Sequence, residues 1–187
     1  ITHQREAKLF SISFILIAIS YFLWSFINTL FVEKLNETTK VLYLQEINAL
    51  SVLAIYSHLF IFMAGLATLF YMTSRIKSGK ILSALILISS TSVVLAYNKT
   101  LALSITAAIF LIFIIVSYLK EYIKNKNLKQ LFIVLAFMFL LVANLDIIFI
   151  KSHEQYVINH ILTLCSFTLI LISLIMILKH VKKTNAT

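Results

Sequence analysis

Six long apolar runs, separated by short polar segments, constrain this chain more than any other feature of its sequence. An α-helix needs about 20 apolar residues to cross a hydrocarbon core of about 30 Å, because no backbone polar group can stay unpaired in lipid. Each run comes close to that length, and the chain contains no proline to break a helix. The sequence therefore predicts six membrane-spanning helices. They cover residues 9–32, 50–72, 81–97, 101–119, 131–150 and 156–178.

The composition also indicates a membrane protein. Of the 187 residues 61% are hydrophobic, whereas soluble domains have about 45–50%. The chain has 16 Lys and Arg residues against 7 Asp and Glu residues. These charges lie in short segments between the apolar runs, which indicates contact with lipid headgroups and not with nucleic acid. We predict an all-α polytopic membrane protein, with residues 1–187 forming one antiparallel six-helix bundle.

The distribution of basic residues predicts the orientation, since Lys and Arg accumulate in cytoplasmic loops. Twelve of them fall on one side of the predicted spans and four on the other. The side with twelve includes both termini, which we therefore expect to be cytoplasmic. Seven of the twelve lie between spans two and three or between spans four and five, where lysine and arginine can snorkel and attract anionic lipid. These seven are Arg75, Lys77, Lys80, Lys120, Lys124, Lys126 and Lys129.

The last two runs could in principle form one helix, because Asp146, His153 and His160 are spaced by seven residues. Such a helix would be about 72 Å long, more than twice what a bilayer can cover. The sequence therefore predicts a hairpin with Lys151–Gln155 as its loop. This places His153 in the loop, and Asp146 and His160 in separate spans.

The longest outer connection, Glu33–Ala49, is not a plain loop. Thr38 and Thr39 are suitable N-caps, and no helix breaker follows them before the second span. We expect this segment either to extend the second helix outward or to lie along the membrane interface.

Three ionisable side chains fall inside the predicted spans, namely His58, Asp146 and His160. Each is inserted at a cost of about 2.5–3.5 kcal/mol, so such residues are candidates for function. At a rise of 1.5 Å per residue all three lie in the outer half of the bilayer. Tyr56 and Asn144 lie in the same layer. We therefore predict an intramembrane polar cluster of these five residues.

This cluster has three possible roles. It could be a hydrogen-bonded knot that fixes helix packing. His58 and His160 could ligate b-type haem, or hold a divalent metal together with Asp146. The same three residues could also form a proton or ion pathway. The spans contain no second histidine pair for haem, and neither histidine has a ligand-type partner three or four residues away. The pattern favours the packing role.

Two helix faces are expected to turn toward the bundle interior, because small and weakly polar residues let another helix approach closely. One lies on the second span and the other on the sixth. The first consists of Ser51, Ala54, His58, Gly65 and Thr68, and the second of Asn159, Thr163, Ser166 and Ser173.

The functional prediction follows mainly from what the motifs exclude. The sequence has no Gly-rich phosphate loop, no Gly-x-Ser-x-Gly elbow and no carboxylate pair suited to acid/base chemistry. We therefore expect a non-catalytic membrane subunit or module that braces or anchors a larger assembly with other membrane subunits. One alternative is a redox subunit that binds b-type haem or a metal near the outer face. Another is a small transporter or ion pathway that uses Asp146 and the histidines.

Overall fold

A computed structural model describes the backbone of residues 2–37, 44–76, 78–149 and 153–184. Every regular element within these ranges is an α-helix, which confirms the all-α prediction. Six helices follow one another along the chain. They are α1 (Thr2–Glu37), α2 (Leu44–Thr73), α3 (Gly79–Leu95), α4 (Lys99–Asn125), α5 (Leu128–Phe149) and α6 (His153–Thr184).

Three of these helices contain a segment long and apolar enough to cross a membrane. The segments are Lys8–Ile27, Val52–Thr73 and Lys99–Asn125, with mean hydropathies of 2.1, 1.9 and 2.6. The apolar segments of the other three helices span 17 residues each within the described chain. Seventeen residues of helix cover about 26 Å, somewhat less than a hydrocarbon core of about 30 Å. The count of six spans therefore stays a prediction.

The helices extend beyond the apolar runs. α1 continues to Glu37, and α2 already begins at Leu44, so the second helix extends beyond its apolar run, whereas the direction of this extension relative to the membrane stays a prediction. The proposed caps Thr38 and Thr39 lie outside the described residues. α6 begins at His153, so the prediction that His153 lies in a loop is wrong. Hydropathy marks where lipid contact ends, whereas a helix without a breaker can continue into water.

Two helices are followed by a residue that has the positive φ of the left-handed region although it is not glycine. At the end of α2, Arg75 has a φ of 53° and Ile76 N–H donates to the Tyr71 carbonyl at 3.4 Å, which is the bond of a Schellman motif. At the end of α4, Lys126 has a φ of 48° and its N–H donates to the Tyr122 carbonyl at 2.7 Å. A side chain raises the energy of this conformation by about 1–2 kcal/mol relative to glycine.

The chain forms two compact units, Ile1–Lys99 and Thr100–Thr187. In the first unit α2 packs against both α1 and α3. In the second unit α5 packs against α6, and the ring of Tyr118 on α4 stacks on that of Phe137 on α5 with centroids 6.0 Å apart.

α1 and α2 approach each other closely at Gly65. A Cβ atom built on Gly65 would lie 2.7 Å from Ile17 Cγ1 and 3.0 Å from the Ser13 carbonyl oxygen. Both Ser13 and Ile17 are fully buried. Further along the pair, His58 of α2 reaches Ser20 of α1, so the two helices run antiparallel. A glycine is required at the contact because the backbones meet there without room for a side chain.

α4 has two distinct faces. Its buried face carries small and apolar residues, among them Ser104 and Ala108, which are four residues apart. The opposite face is exposed and carries branched apolar side chains that recur every three or four residues, as expected for one stripe of a helix. They are Ile105, Ile109, Ile112, Val116, Leu119 and Ile123, which are 40–66% exposed.

Candidate functional site

His58 links α2 to α1 through a hydrogen bond. Its Nδ1 lies 3.2 Å from the backbone carbonyl oxygen of Ser20. A carbonyl oxygen can only accept, so Nδ1 carries the proton and donates it. The side chain of His58 is half-buried and that of Ser20 is fully buried. The first of the three ionisable residues in the predicted spans therefore holds two neighbouring helices together.

Three aromatic rings surround the His58 imidazole, each with its centroid 5.3 Å away. The imidazole stacks on Phe62 at 12°, meets Tyr21 edge-on at 77°, and is tilted by 45° to Trp24. Tyr21 also meets Phe62 edge-on, at 5.7 Å. Such pairs contribute about 0.5–1.5 kcal/mol each beyond the area that they bury. His58 is thus fixed in its rotamer by residues of both helices.

Sequence reasoning did not identify Tyr21 or Phe62 as members of this cluster. Both read as ordinary apolar residues of a span, and only their spacing carried a signal. Phe62 follows His58 by four residues, and Tyr21 precedes Trp24 by three, so each pair lies on one helix face. Tyr56, by contrast, is two residues from His58, about 200° away around the helix axis, and is half-buried.

Asn144 and Asp146 lie near the end of α5 in the second unit. Asn144 is buried and its Nδ2 donates to the Leu140 carbonyl of its own helix at 2.9 Å. Asp146 is half-buried, and its Oδ2 atom is buried without a hydrogen-bond partner among the described residues. His160 lies on α6 and is exposed. The prediction that His58 joins these residues in one cluster stays a prediction.

Two hydrogen bonds join α6 to α5. Asn159 Nδ2 donates to the Ala143 carbonyl at 2.5 Å, and Ser166 Oγ donates to the Ala136 carbonyl at 2.8 Å. The two donors are seven residues apart on α6, and the two acceptors are seven residues apart on α5 in the opposite direction. The helices are therefore antiparallel. Ser173, seven residues after Ser166, is also buried, as the expected inward face of this helix requires.

The α1–α2 pair repeats this spacing. His58 and Gly65 are seven residues apart on α2, and they meet Ser20 and Ser13, which are seven residues apart on α1. The inward face predicted for α2 agrees with this, because Ala54, Gly65 and Thr68 are buried. The side chain of Ser51 lies outside the described residues. In both helix pairs the second helix therefore places a polar or small residue against a backbone carbonyl of the first.

The described residues contain no group of three His, Cys, Asp or Glu side chains that could hold a metal ion. Haem or metal binding by His58, His160 and Asp146 stays a prediction. An absorption spectrum and a metal analysis of the purified protein would test it.

The basic residues predicted to face lipid are exposed wherever their side chains are described. Lys77 lies outside the described residues, and the side chain of Lys129 is not described. The exposed members are Arg75, Lys80, Lys120, Lys124 and Lys126.

Comparison with protein-family models, curated proteins and solved structures finds no match for this chain. Its class therefore follows from its own fold and contacts. It is an all-helical protein with three described helices long and apolar enough to cross a membrane.

Proposed function

We propose that this chain is a non-catalytic membrane module that braces or anchors a larger membrane assembly together with other subunits. The observation that carries the proposal is that polar side chains form hydrogen bonds between neighbouring helices. His58, Asn159 and Ser166 each donate to a backbone carbonyl of a neighbouring helix. Polar groups at membrane depth are candidates for function by default, but these three already serve helix packing.

The energetics of these bonds support a structural role. A hydrogen bond between membrane helices contributes about 0.6 kcal/mol on average and at most about 2 kcal/mol. Several such bonds, together with the close approach at Gly65, fix which helix faces meet and in which register. A rigid scaffold needs this property, whereas a transporter that alternates access commonly breaks its helices at the binding site.

The finer topology belongs to the same proposal. All six helices cross the bilayer, both termini are cytoplasmic, and the basic turns meet anionic lipid at the cytoplasmic face. The chain contains one cysteine, Cys165, so a Cys165→Ser background allows single-cysteine labelling. Tyr97 and Asn125 are both exposed, in or beside the turns on either side of α4.

In that background, Tyr97→Cys should react with a membrane-impermeant maleimide on intact cells. Asn125→Cys should react only after the membrane is permeabilised. Labelling of both positions from the same side would contradict the proposed crossing of α4. If Asn125→Cys is labelled on intact cells and Tyr97→Cys is not, then α4 crosses the membrane in the orientation opposite to the one proposed.

The assembly itself is tested on protein extracted from its own membranes in a mild detergent. We expect a particle well above the 21.4 kDa of one chain, with a second membrane protein present at a fixed molar ratio after chemical crosslinking. A harsh detergent that separates subunits serves as the control. A stable particle of one chain with a catalytic or transport activity of its own would overturn the proposal.

One observation favours a second candidate, the proton or ion pathway. Asp146 Oδ2 is buried without a partner in the described part of the chain, and a carboxylate at membrane depth is expensive unless something pairs with it. Proton flux into liposomes that Asp146→Asn abolishes, and that His160→Ala also reduces, would favour this candidate. The bracing role predicts no flux above that of empty liposomes.

A further inference from the structure

We propose that the turn between α4 and α5 binds the phosphate headgroup of an anionic lipid. The inner-turn surface consists of Lys120, Ile123, Lys124, Lys126 and Leu128. This inference rests on the proposed function, since it requires α4 to cross the bilayer.

The length of α4 places this surface at headgroup depth. The helix has 27 residues, which is about 40 Å at 1.5 Å per residue. Its uncharged apolar stretch, Leu101–Leu119, covers about 28 Å and fills a hydrocarbon core of about 30 Å. The last six residues of the helix extend about 9 Å further, which corresponds to the polar layer on one side of the bilayer.

The exposed stripe of α4 leads directly to two lysines. Ile123 is the last member of that stripe and is 66% exposed. Lys120 and Lys124 are both exposed. At 100° per residue they lie about 60° and about 100° from Ile123 around the helix axis, in the same direction, so both flank one edge of the stripe. Their aliphatic stems can cover apolar surface while the ammonium groups reach the phosphates.

The turn adds a third cation and a second apolar side chain. Lys126 is exposed, and its backbone has the positive φ of the left-handed region, so it lies just beyond the end of α4. Leu128 is 65% exposed. Lysine binds phosphate as a point charge. A free phosphate ion would leave Ile123 and Leu128 in contact with water, whereas a lipid covers them with its glycerol backbone and the first methylenes of its acyl chains. The neighbouring charges and apolar groups therefore fit an anionic phospholipid.

The experiment uses one tryptophan as a reporter of the nearest lipid. The chain contains a single tryptophan, Trp24, so Trp24→Phe gives a silent background. Ile123→Trp then reports on the inner-turn surface. Ile109→Trp reports on the same stripe near the middle of α4, away from the lysines. Each variant of the full chain is reconstituted in vesicles, and its fluorescence is quenched with brominated phosphatidylglycerol or brominated phosphatidylcholine.

We expect Ile123→Trp to prefer phosphatidylglycerol by about fivefold, the attraction expected of one well-placed lysine. Ile109→Trp should show a ratio near one. Replacing Lys120, Lys124 and Lys126 together by Gln should bring the ratio at Ile123→Trp to near one, and high salt should reduce it.

A ratio of one at Ile123→Trp in the presence of all three lysines would overturn the inference. A preference that persists after the three lysines are replaced would overturn it as well. The control separates this failure from that of the proposed function. If neither brominated lipid quenches Ile109→Trp, then α4 does not lie in the bilayer and the membrane proposal itself fails.

Discussion

Replacing Gly65 with alanine tests how tightly α1 and α2 are packed. The new Cβ would lie 2.7 Å from Ile17 Cγ1, 3.0 Å from the Ser13 carbonyl oxygen and 3.2 Å from the Ile17 backbone nitrogen. Ordinary contact begins near 3.4 Å. Ile17 is fully buried, so its Cγ1 cannot move without displacing its neighbours, and the other two atoms belong to the backbone. The helices must therefore separate by about 0.4 Å to relieve the carbonyl contact alone.

The magnitude follows from two opposing effects. Overpacking of a close contact costs about 1–3 kcal/mol, and alanine recovers up to about 1 kcal/mol through its higher helix propensity. A separation of this size also stretches the bond between His58 and Ser20, which is already 3.2 Å long. We therefore expect Gly65→Ala to lower the free energy of unfolding by about 1–2 kcal/mol.

Trp24 provides the assay, because it is the only tryptophan and its ring lies against His58 on the opposite helix. Its emission can follow reversible unfolding as sodium dodecyl sulfate is added to protein in a mild detergent. Gly79→Ala is the matched control, since nothing lies within 4 Å of a Cβ at that position. If Gly65→Ala unfolds at the same detergent fraction as Gly79→Ala, or at a higher one, the argument from close packing is wrong.

Three further substitutions, two of them with a control variant, test other contacts; unfolding is followed by circular dichroism, because Trp24 lies in the first unit and Asn159 in the second. Asn159→Ala removes the bond to α5 and should destabilise by about 0.5–1.5 kcal/mol. Thr168→Ala should have little effect, because that exposed hydroxyl bonds only within its own helix. His58→Phe keeps a ring among the aromatic neighbours but removes the donor, so a loss of about 1 kcal/mol is expected. Lys126→Gly removes a strain of about 1–2 kcal/mol but loses about 0.5–1 kcal/mol through the greater backbone freedom of glycine in the unfolded chain, so a net stabilisation of about 0.5–1 kcal/mol is expected, whereas Lys124→Gly inside the last turn should destabilise. Equal effects of the two glycine variants would contradict the strain argument.

Apolar run length predicted the number and order of the helices because lipid imposes a strong rule on span length. It did not predict their ends. His153 is polar and is followed by the charged Glu154, yet it already belongs to α6. Once a helix leaves the hydrocarbon core, its backbone can bond to itself or to water at similar energy, so hydropathy no longer marks where it stops.

The sequence indicated His58 as a candidate site residue through its predicted depth in the membrane, but it did not indicate which residues His58 contacts. Counting residues from the middle of each predicted span marked His58 as unusual, and its depth in the bilayer stays a prediction. The count could not reveal that His58 bonds to Ser20, because depth leaves the choice of partner helix open. That choice depends on which faces are small enough to meet. The inward face containing Gly65 was recognised, but the matching residues on α1 were not.

A second signal was present in the sequence and was not used. Asn159, Ser166 and Ser173 recur every seven residues, and so do Ala136 and Ala143. When two such series lie on consecutive antiparallel helices, they predict which residues of the two helices face each other. The series on α1 and α2 is harder to see, because His58 and Gly65 are chemically unlike each other.

If α5 and α6 cross the bilayer as proposed, the hydrogen bond between Asn159 and Ala143 has a consequence for how the chain enters the membrane during synthesis. The structure describes α5 to Phe149 and α6 from His153, and the Asn159 amide donates to a carbonyl 16 residues earlier in the chain. If α6 entered the lipid alone, that amide would meet no acceptor there. Entering together with α5, it finds Ala143 at once. We therefore expect the translocon to release α5 and α6 as one pair, with the hydrogen bond formed before either helix meets bulk lipid.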